Sequence, residues 1–334
     1  MKDLFFELVG PNYTLAKAEI LSTIEGLSHE YEVYNSEPGL LSLRTTCPVR
    51  SLNRRLGLTH SIYRKIETLS GHEKFTMPQG DLELPTGSAA VRTKKIERQD
   101  VDTQQIKEKL GDMISEKNPI DLDNPDHEIY VLISDNYHIG QKIYETNKKE
   151  FRAREAKNRP FFSPISLKPR YTRALINLSR PGKDARIHDP FCGTGGVLIE
   201  AFRMGFQVSG GDKDTKMIEG CKENLREFEV EASLEVGDVS ETIPKGIDRI
   251  VTDPPYGRAS STLKEDLGSI YERFFETSRE KLRKGGYLSA IFPGTNHVEM
   301  GKEYLDLVET YKVRVHRSLD RHFTVFRNTG PTAD

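Results

Sequence analysis

Two periods of hydrophobic spacing organise this chain. Runs alternating every second residue read as strands, and apolar residues recurring every third or fourth position read as helices. Near the start, residues 4–9 read as a strand. Residues 13–25 carry helical periodicity, with Leu15, Ala18, Ile20, Leu21 and Ile24 at small or apolar positions. Residues 40–45 alternate as a strand, and 49–56 read as a helix bearing Arg50, Arg54 and Arg55. This β-α-β-α order predicts a small ferredoxin-like module over residues 1–67. A different order follows over 68–146, where 89–96 reads as a strand, 103–116 as a helix, and 128–134 with 137–144 as paired strands. Ser134-Asp135-Asn136 supplies the turn between that pair.

From Lys183 onward strands and helices alternate, the pattern of a doubly wound parallel sheet. Strands are expected at 185–191, 207–211, 233–237 and 247–252, with helices at 168–178 and 197–204. The predicted class is α/β. A Rossmann-like C-terminal sheet over 161–330 follows α+β modules and a linker at 147–160.

At 334 residues the chain suits two or three domains, and 36% hydrophobic with 30% charged residues supports more than one core. No run of about 18 apolar residues is present, so no membrane span is expected. The opening Met1-Lys2-Asp3-Leu4-Phe5-Phe6-Glu7 reads as a strand rather than a signal peptide. Cys47, Cys192 and Cys221 are odd in number and match no zinc or disulfide spacing, which fits a reducing, cytoplasmic setting. A net charge of -2 does not announce nucleic-acid binding, so basic surfaces must be local. Lys94, Lys95 and Arg98 form one cluster. The linker forms another, with Lys148, Lys149, Arg152, Arg154, Lys157 and Arg159 against only Glu150 and Glu155. It can follow a phosphate backbone, or it is a solvated helix between domains.

The chemistry lies at the strand ends. The strand at 185–191 runs into Cys192-Gly193-Thr194-Gly195-Gly196, a turn whose glycines let backbone approach a ligand. The longer Gly-x-Gly-x-x-Gly frame of dinucleotide sites is absent. Asp189 would repel a pyrophosphate but attract an ammonium group, which points to S-adenosylmethionine. Asp212, with Lys213 beside it, follows the second strand at the distance suited to a ribose diol. Asp238 follows the third, where it can accept from an adenine amino group while Val239 offers its amide. Upstream, Ser163 could meet the methionine carboxylate and Phe161 or Phe162 could wall the pocket.

After the fourth strand comes Asp253-Pro254-Pro255-Tyr256-Gly257-Arg258, the most specific signal in the chain. The lone pair of an exocyclic base amine is delocalised into the ring. Two acceptors, the Asp253 side chain and the Pro254 carbonyl, can hold its hydrogens and aim that lone pair at a methyl carbon. The prolines stiffen the loop. Tyr256 offers a flat face for an unstacked base, and no tryptophan exists to do so. Arg258 suits a phosphate, a base edge or plain solvent. No cysteine accompanies the loop, which argues against carbon methylation through a thiolate. His188, His297, His316 and His322 are too scattered for a metal site.

The run Asp189-Pro190-Phe191-Cys192-Gly193-Thr194-Gly195-Gly196 with Asp253-Pro254-Pro255-Tyr256-Gly257 resembles the amino-methyltransferases. The N-terminal half resembles a THUMP domain preceded by a ferredoxin-like module. Together with Arg258 and Val315-His316-Arg317-Ser318-Leu319-Asp320-Arg321-His322-Phe323, the chain is similar to the archaeal tRNA (guanine(10)-N2)-dimethyltransferases over essentially its whole length. That resemblance implies a THUMP domain that holds the tRNA acceptor end as a ruler, and N2-methyl- or N2,N2-dimethylguanosine as product. It also implies a monomer, or a heterodimer with a small activator subunit. Related THUMP enzymes acting on other guanines tend to carry Asn at the position of Asp253. Alternatives are a THUMP methyltransferase for another tRNA guanine or rRNA, a DNA amino-methyltransferase, and an RNA chaperone without catalysis.

Overall fold

The structure is a computed structural model that describes residues 1–71, 75–80, 82–96, 100–163, 166–256, 266–316 and 319–330. The first 145 residues run in the order β1 (Lys2–Leu8), α1 (Tyr13–Gly26), β2 (Tyr31–Glu37), β3 (Leu40–Thr45), α2 (Val49–Arg55), β4 (Thr59–Leu69), β5 (Ala89–Lys95), α3 (Thr103–Ser115), β6 (His127–Ile133) and β7 (Tyr137–Glu145). All seven strands belong to one sheet, in the order β2-β3-β1-β4-β7-β6-β5. Its pairings are antiparallel except β5 with β6, which α3 connects as a crossover.

Asp102 caps α3 by accepting from the Gln104 and Gln105 amides. Ile106, Leu110 and Ile114, four residues apart, face a core of Val91, Ile129, Val131 and Ile139. Two strands not anticipated from the sequence, β2 and β4, complete the sheet. In β2 alternate positions stay exposed, so its apolar signal is weak, whereas β4 crosses the boundary expected near residue 67.

The rest of the chain begins with α4 (Lys148–Ala153) and α5 (Pro169–Leu178). It continues through β8 (Arg186–Asp189), α6 (Gly196–Met204), β9 (Gln207–Asp212), α7 (Thr215–Glu227), β10 (Ala232–Val236), α8 (Val239–Thr242) and β11 (Ile247–Thr252). It ends with α9 (Leu267–Lys281), β12 (Leu282–Phe292), α10 (Thr295–Lys302), β13 (Asp306–His316) and β14 (Leu319–Arg327). The second sheet has the order β10-β9-β8-β11-β12-β14-β13. Its first five strands are parallel, and β14 and β13 close it antiparallel. This is the expected doubly wound α/β class. From β8 the chain winds outward through β9 and β10, then returns to place β11 on the other side. The crevice outside the carboxyl ends of β8 and β11 is therefore a topological switch point. Behind it, Ile250, Leu288 and Phe292 pack with Tyr271, Phe274, Phe275 and Phe326.

The chain divides into two compact units whose boundaries do not follow sequence order. One comprises residues 1–13, 29–48 and 59–146, and the other comprises 14–28, 49–58 and 147–334. Residues 14–26 of α1 and all of α2 therefore belong with the C-terminal sheet. The physical reason is a buried acid. Glu19 is fully buried and accepts from the Gly57 and Leu58 amides, both at 2.7 Å, and from Asn177 Nδ2 at 3.0 Å. Arg55 donates to the Pro181 carbonyl at 2.6 Å and lies over the Phe206 ring.

Candidate active site

The glycine-rich turn joins β8 to α6 at the switch point. Gly195 adopts φ +81°, and a Cβ there would stand 2.8 Å from Cys221 Sγ, so only glycine serves. Asp212, at the end of β9, holds the turn from the other side. Its Oδ2 accepts from the Gly193 amide at 2.9 Å and its Oδ1 from the Asp214 amide at 3.0 Å. Cys192 is buried, its sulfur against that of Cys221.

Asp189 is 2% exposed. One oxygen accepts from Thr252 Oγ1 at 2.6 Å and from the Phe191 amide at 3.2 Å. Burial pushes its carboxyl up to about 7, further helped by the charges of Asp212 and Asp253. Burial also raises Asp212 and Asp253. Among the described residues no cation pairs with Asp189. A buried acid beside two others is chemically fitted to a positively charged ligand group.

Asp238 is in a different state. It caps α8 in a capping box with Glu241. Arg273 grips both its oxygens, at 3.2 and 3.0 Å, and Ser240 donates through amide and hydroxyl. Partial burial works to raise this carboxyl, yet those donors bring it down to about 2. Lys213, about half exposed, lies 3.9 Å from the same carboxylate, and Val239 is buried.

The segment before α5 docks beside the turn. Asn224 is the clamp: its Nδ2 donates to the carbonyls of Phe161 and Thr194, and its Oδ1 accepts from the Phe161 amide. The Phe161 ring lies against Gly220, where a Cβ would overlap it, while Phe162 is 53% exposed. Ser166 Oγ bridges the Ser163 carbonyl at 3.1 Å and Thr194 Oγ1 at 3.2 Å, which places Ser163 next to the turn.

Asp253, Pro254 and Tyr256 follow β11 across the switch point from Asp189. The Tyr256 hydroxyl donates to Asp253 Oδ1 in a short hydrogen bond. Arg321 Nη2 lies 3.9 Å from Asp253 Oδ2, and its guanidinium stands over the Tyr256 ring. Tyr271 donates to the Pro255 carbonyl at 3.0 Å, so α9 fixes the loop's path. No described residue donates to the Pro254 carbonyl. Arg258 and Gly257 lie outside the described residues, as does Arg98.

The basic residues separate. Lys148, Lys149 and Arg152 are exposed on α4, and Lys95 is exposed at the end of β5. Lys94 ion-pairs with buried Glu7 at 2.7 Å and keeps a third of its side chain exposed. Arg154 departs from its expected place among the phosphate-facing residues. It is 3% exposed and bound by two hydrogen bonds to the fully buried Glu200, which also takes Arg173 at 2.8 Å. Arg154, Arg170 and Arg173 all stand over Phe151. The basic count of the segment gave no sign that this arginine turns inward. The apolar Phe151 three residues earlier was the available clue.

Arg273, Arg321, Thr252, Tyr271 and Asn224 reach the site without having been singled out as site residues. Each acts from a helix or strand other than the one that carries the motif it supports, Thr252 of β11 included, since it bonds Asp189 of β8. Among the described residues no group of three or more His, Cys, Asp or Glu is placed to hold a metal ion.

A family profile described as "RMKL-like, methyltransferase domain" matches residues 156–322, and a THUMP domain profile matches 60–138. The tRNA (guanine(10)-N2)-dimethyltransferase of Methanothermobacter thermautotrophicus is 37% identical over 70% of this chain and 71% of its own. That of Pyrococcus abyssi is 38% identical over 73% and 75%. The crystal structure of TrmN from Thermus thermophilus superposes with a TM-score of 0.54 at 19% identity, covering 97% of this chain and 99% of its own. At that identity the likeness concerns the fold.

Proposed function

Because the chain belongs to the tRNA (guanine(10)-N2)-dimethyltransferase family, we propose that it methylates the exocyclic N2 of guanosine 10 in tRNA, using S-adenosylmethionine. The observation that carries this reading is the pairing, at one switch point, of the Asp253-Pro254-Pro255-Tyr256 loop with a buried acid, Asp189, that has no cation partner among the described residues.

S-adenosylmethionine supplies an electrophilic methyl group on a positively charged sulfur. Asp189 would hold its ammonium and Ser163 its carboxylate, against the turn formed by Cys192, Gly193, Thr194 and Gly195. Asp212 would take the ribose hydroxyls. Asp238 and the Val239 amide would frame the adenine, with Lys213 and Arg273 holding Asp238 in place. Asp253 and the Pro254 carbonyl accept the two amine hydrogens, which aims the nitrogen lone pair at the methyl carbon and offsets charge growing on nitrogen. Tyr256 stacks on the flipped base. Its hydroxyl must release Asp253 Oδ1 as the amine arrives, or the amine takes Oδ2.

The N-terminal ferredoxin-like module (1–67) and THUMP domain (68–146) would grip the tRNA, and the basic segment 147–160 would follow its backbone. Lys95, Lys148, Lys149 and Arg152 are the exposed cations suited to phosphate, with Lys94 able to turn from Glu7. On this reading the protein works in the cytoplasm, as a monomer or with a small activator subunit. No helix among the described residues is long and apolar enough to cross a membrane.

The test is methyl transfer from labelled S-adenosylmethionine to unmodified tRNA transcripts, with nucleoside mass spectrometry and mapping. Mono- or dimethylated guanosine at position 10 is expected. Label confined to another nucleotide would overturn the assignment of position while keeping the chemistry.

A further inference from the structure

Arg321 belongs to the C-terminal stretch that carries part of the family resemblance, yet no role in the reaction has been given to it. It lies on β14, opposite Val313 of β13, and its side chain is 14% exposed. Its Nη2 approaches Asp253 Oδ2, the oxygen not bonded to Tyr256, at 3.9 Å. Its guanidinium carbon is 5.7 Å from the centre of the Tyr256 ring. Its Nε is buried and has no hydrogen-bond partner among the described residues. At 3.9 Å the contact with Asp253 is a charge contact and not a hydrogen bond.

This arrangement makes poor sense as structural glue. Withdrawing a guanidinium from water costs more than one loose ion pair returns, and an apolar side chain of similar size would serve β14 at least as well. The geometry points to a positioning residue: we propose that Arg321 holds Asp253 ionised and aimed at the amine, so that the carboxylate can take the proton released by methyl transfer. This rests on the reading of the loop given above.

The proton balance shows why ionisation matters. The amine lone pair forms the new N–C bond, and the C–S pair leaves with sulfur. The nitrogen is left positively charged, with one proton more than the product holds. An ionised Asp253 can accept that proton and pass it to water, whereas a protonated carboxyl cannot. Among the described residues, four groups face Asp253: Tyr256 from its own loop, Tyr271 from α9, Asp189 from the end of β8 and Arg321 from β14. Burial raises its carboxyl. Arg321, followed by the Tyr256 hydroxyl, opposes this, and it is the sole cation of the four.

The experiment is single-turnover methyl transfer by the full chain on unmodified tRNA between pH 5.5 and 9, for wild type, R321M, R321K and D253N, with S-adenosylmethionine affinity measured by calorimetry. For R321M a loss of about tenfold at pH 6 and about twofold at pH 8.5 is expected, because the acidic limb moves to higher pH once the cation is gone. R321K should return that limb toward wild type, and cofactor affinity should be the same in all four proteins. Adding R321M to D253N should bring no further pH dependence. An unmoved acidic limb in R321M, a loss equal at every pH, or an R321K no better than R321M would overturn the proposal. If R321M does not fold, R321Q, which removes the charge and keeps a polar side chain, decides in its place. D253N with wild-type rate and pH profile would instead overturn the reading of the loop itself.

Discussion

Each unit is built on a seven-stranded sheet, and one buried carboxylate from each, Glu37 and Asp189, can be set side by side because the two are held in opposite ways. In the N-terminal unit, Glu37 closes the β6–β7 turn. Ser134, the Asp135 amide, Asn136 and Asn35 all donate to it, and His138 stands 3.1 Å away. Burial would raise this acid, yet its donors bring it down to about 2. In the C-terminal unit Asp189 is more deeply buried, receives only two hydrogen bonds, and is pushed up to about 7. A fully satisfied acid holds a fold together. An acid left short of donors and cations is a standing cost, and such groups gather where a ligand completes them.

The contrast can be broken in four ways. The largest effect should come from D253A, which removes the acceptor aimed at the amine. Methyl transfer should fall about 10²–10³-fold while S-adenosylmethionine affinity, read by calorimetry, stays within about twofold. E37A should cost about 3 kcal/mol in urea unfolding, because it strands His138, Ser134 and Asn136 in the interior. Cofactor affinity should be unmoved, and an equal loss of affinity would erase the division of labour. D189N should do the reverse. It should stabilise the ligand-free protein at pH 8 by about 2 kcal/mol while weakening cofactor binding. The signs differ for a physical reason. Glu37 is lowered in the fold, so its contribution is present above the ordinary carboxylate range and disappears as pH falls toward 2. Asp189 is raised, so its contribution is full below the ordinary range and is lost as pH rises to about 7. The smallest effect follows from the same group: S-adenosylmethionine affinity should drop about tenfold between pH 8 and pH 6, as the acid meant for the ammonium takes up a proton. A flat profile in that window would detach Asp189 from the ammonium.

The α/β class and the strand-end acids were readable because their signals are local. Asp189, Asp212, Asp238 and Asp253 each sit beside the strand that presents them, within a few residues of a glycine or proline that fixes the turn. Support from across the sheet was not readable. Arg273 holds Asp238 from thirty-five positions away, and Arg321 stands further still from Asp253. Charge counting along 147–160 could not tell Arg152, which is exposed, from Arg154, which is buried on Glu200. The edge strand β2 went unseen because half of it faces water and its apolar alternation is thin.

Finally, the membership of α1 and α2 in the C-terminal unit ties the protein's manufacture to its chain path. The two segments emerge from the ribosome early, with Leu15, Ile20 and Ile24 seeking cover and Glu19 seeking Asn177. Residues 59–146 must be translated before the rest of their unit begins to appear, a wait of roughly 5–20 s at ordinary elongation rates. During that interval the nascent chain carries half-built surfaces that a chaperone could shelter. The catalytic unit is therefore not a cassette: a gene fragment starting at residue 147 would leave Asn177 and Pro181 without the Glu19 and Arg55 that bind them.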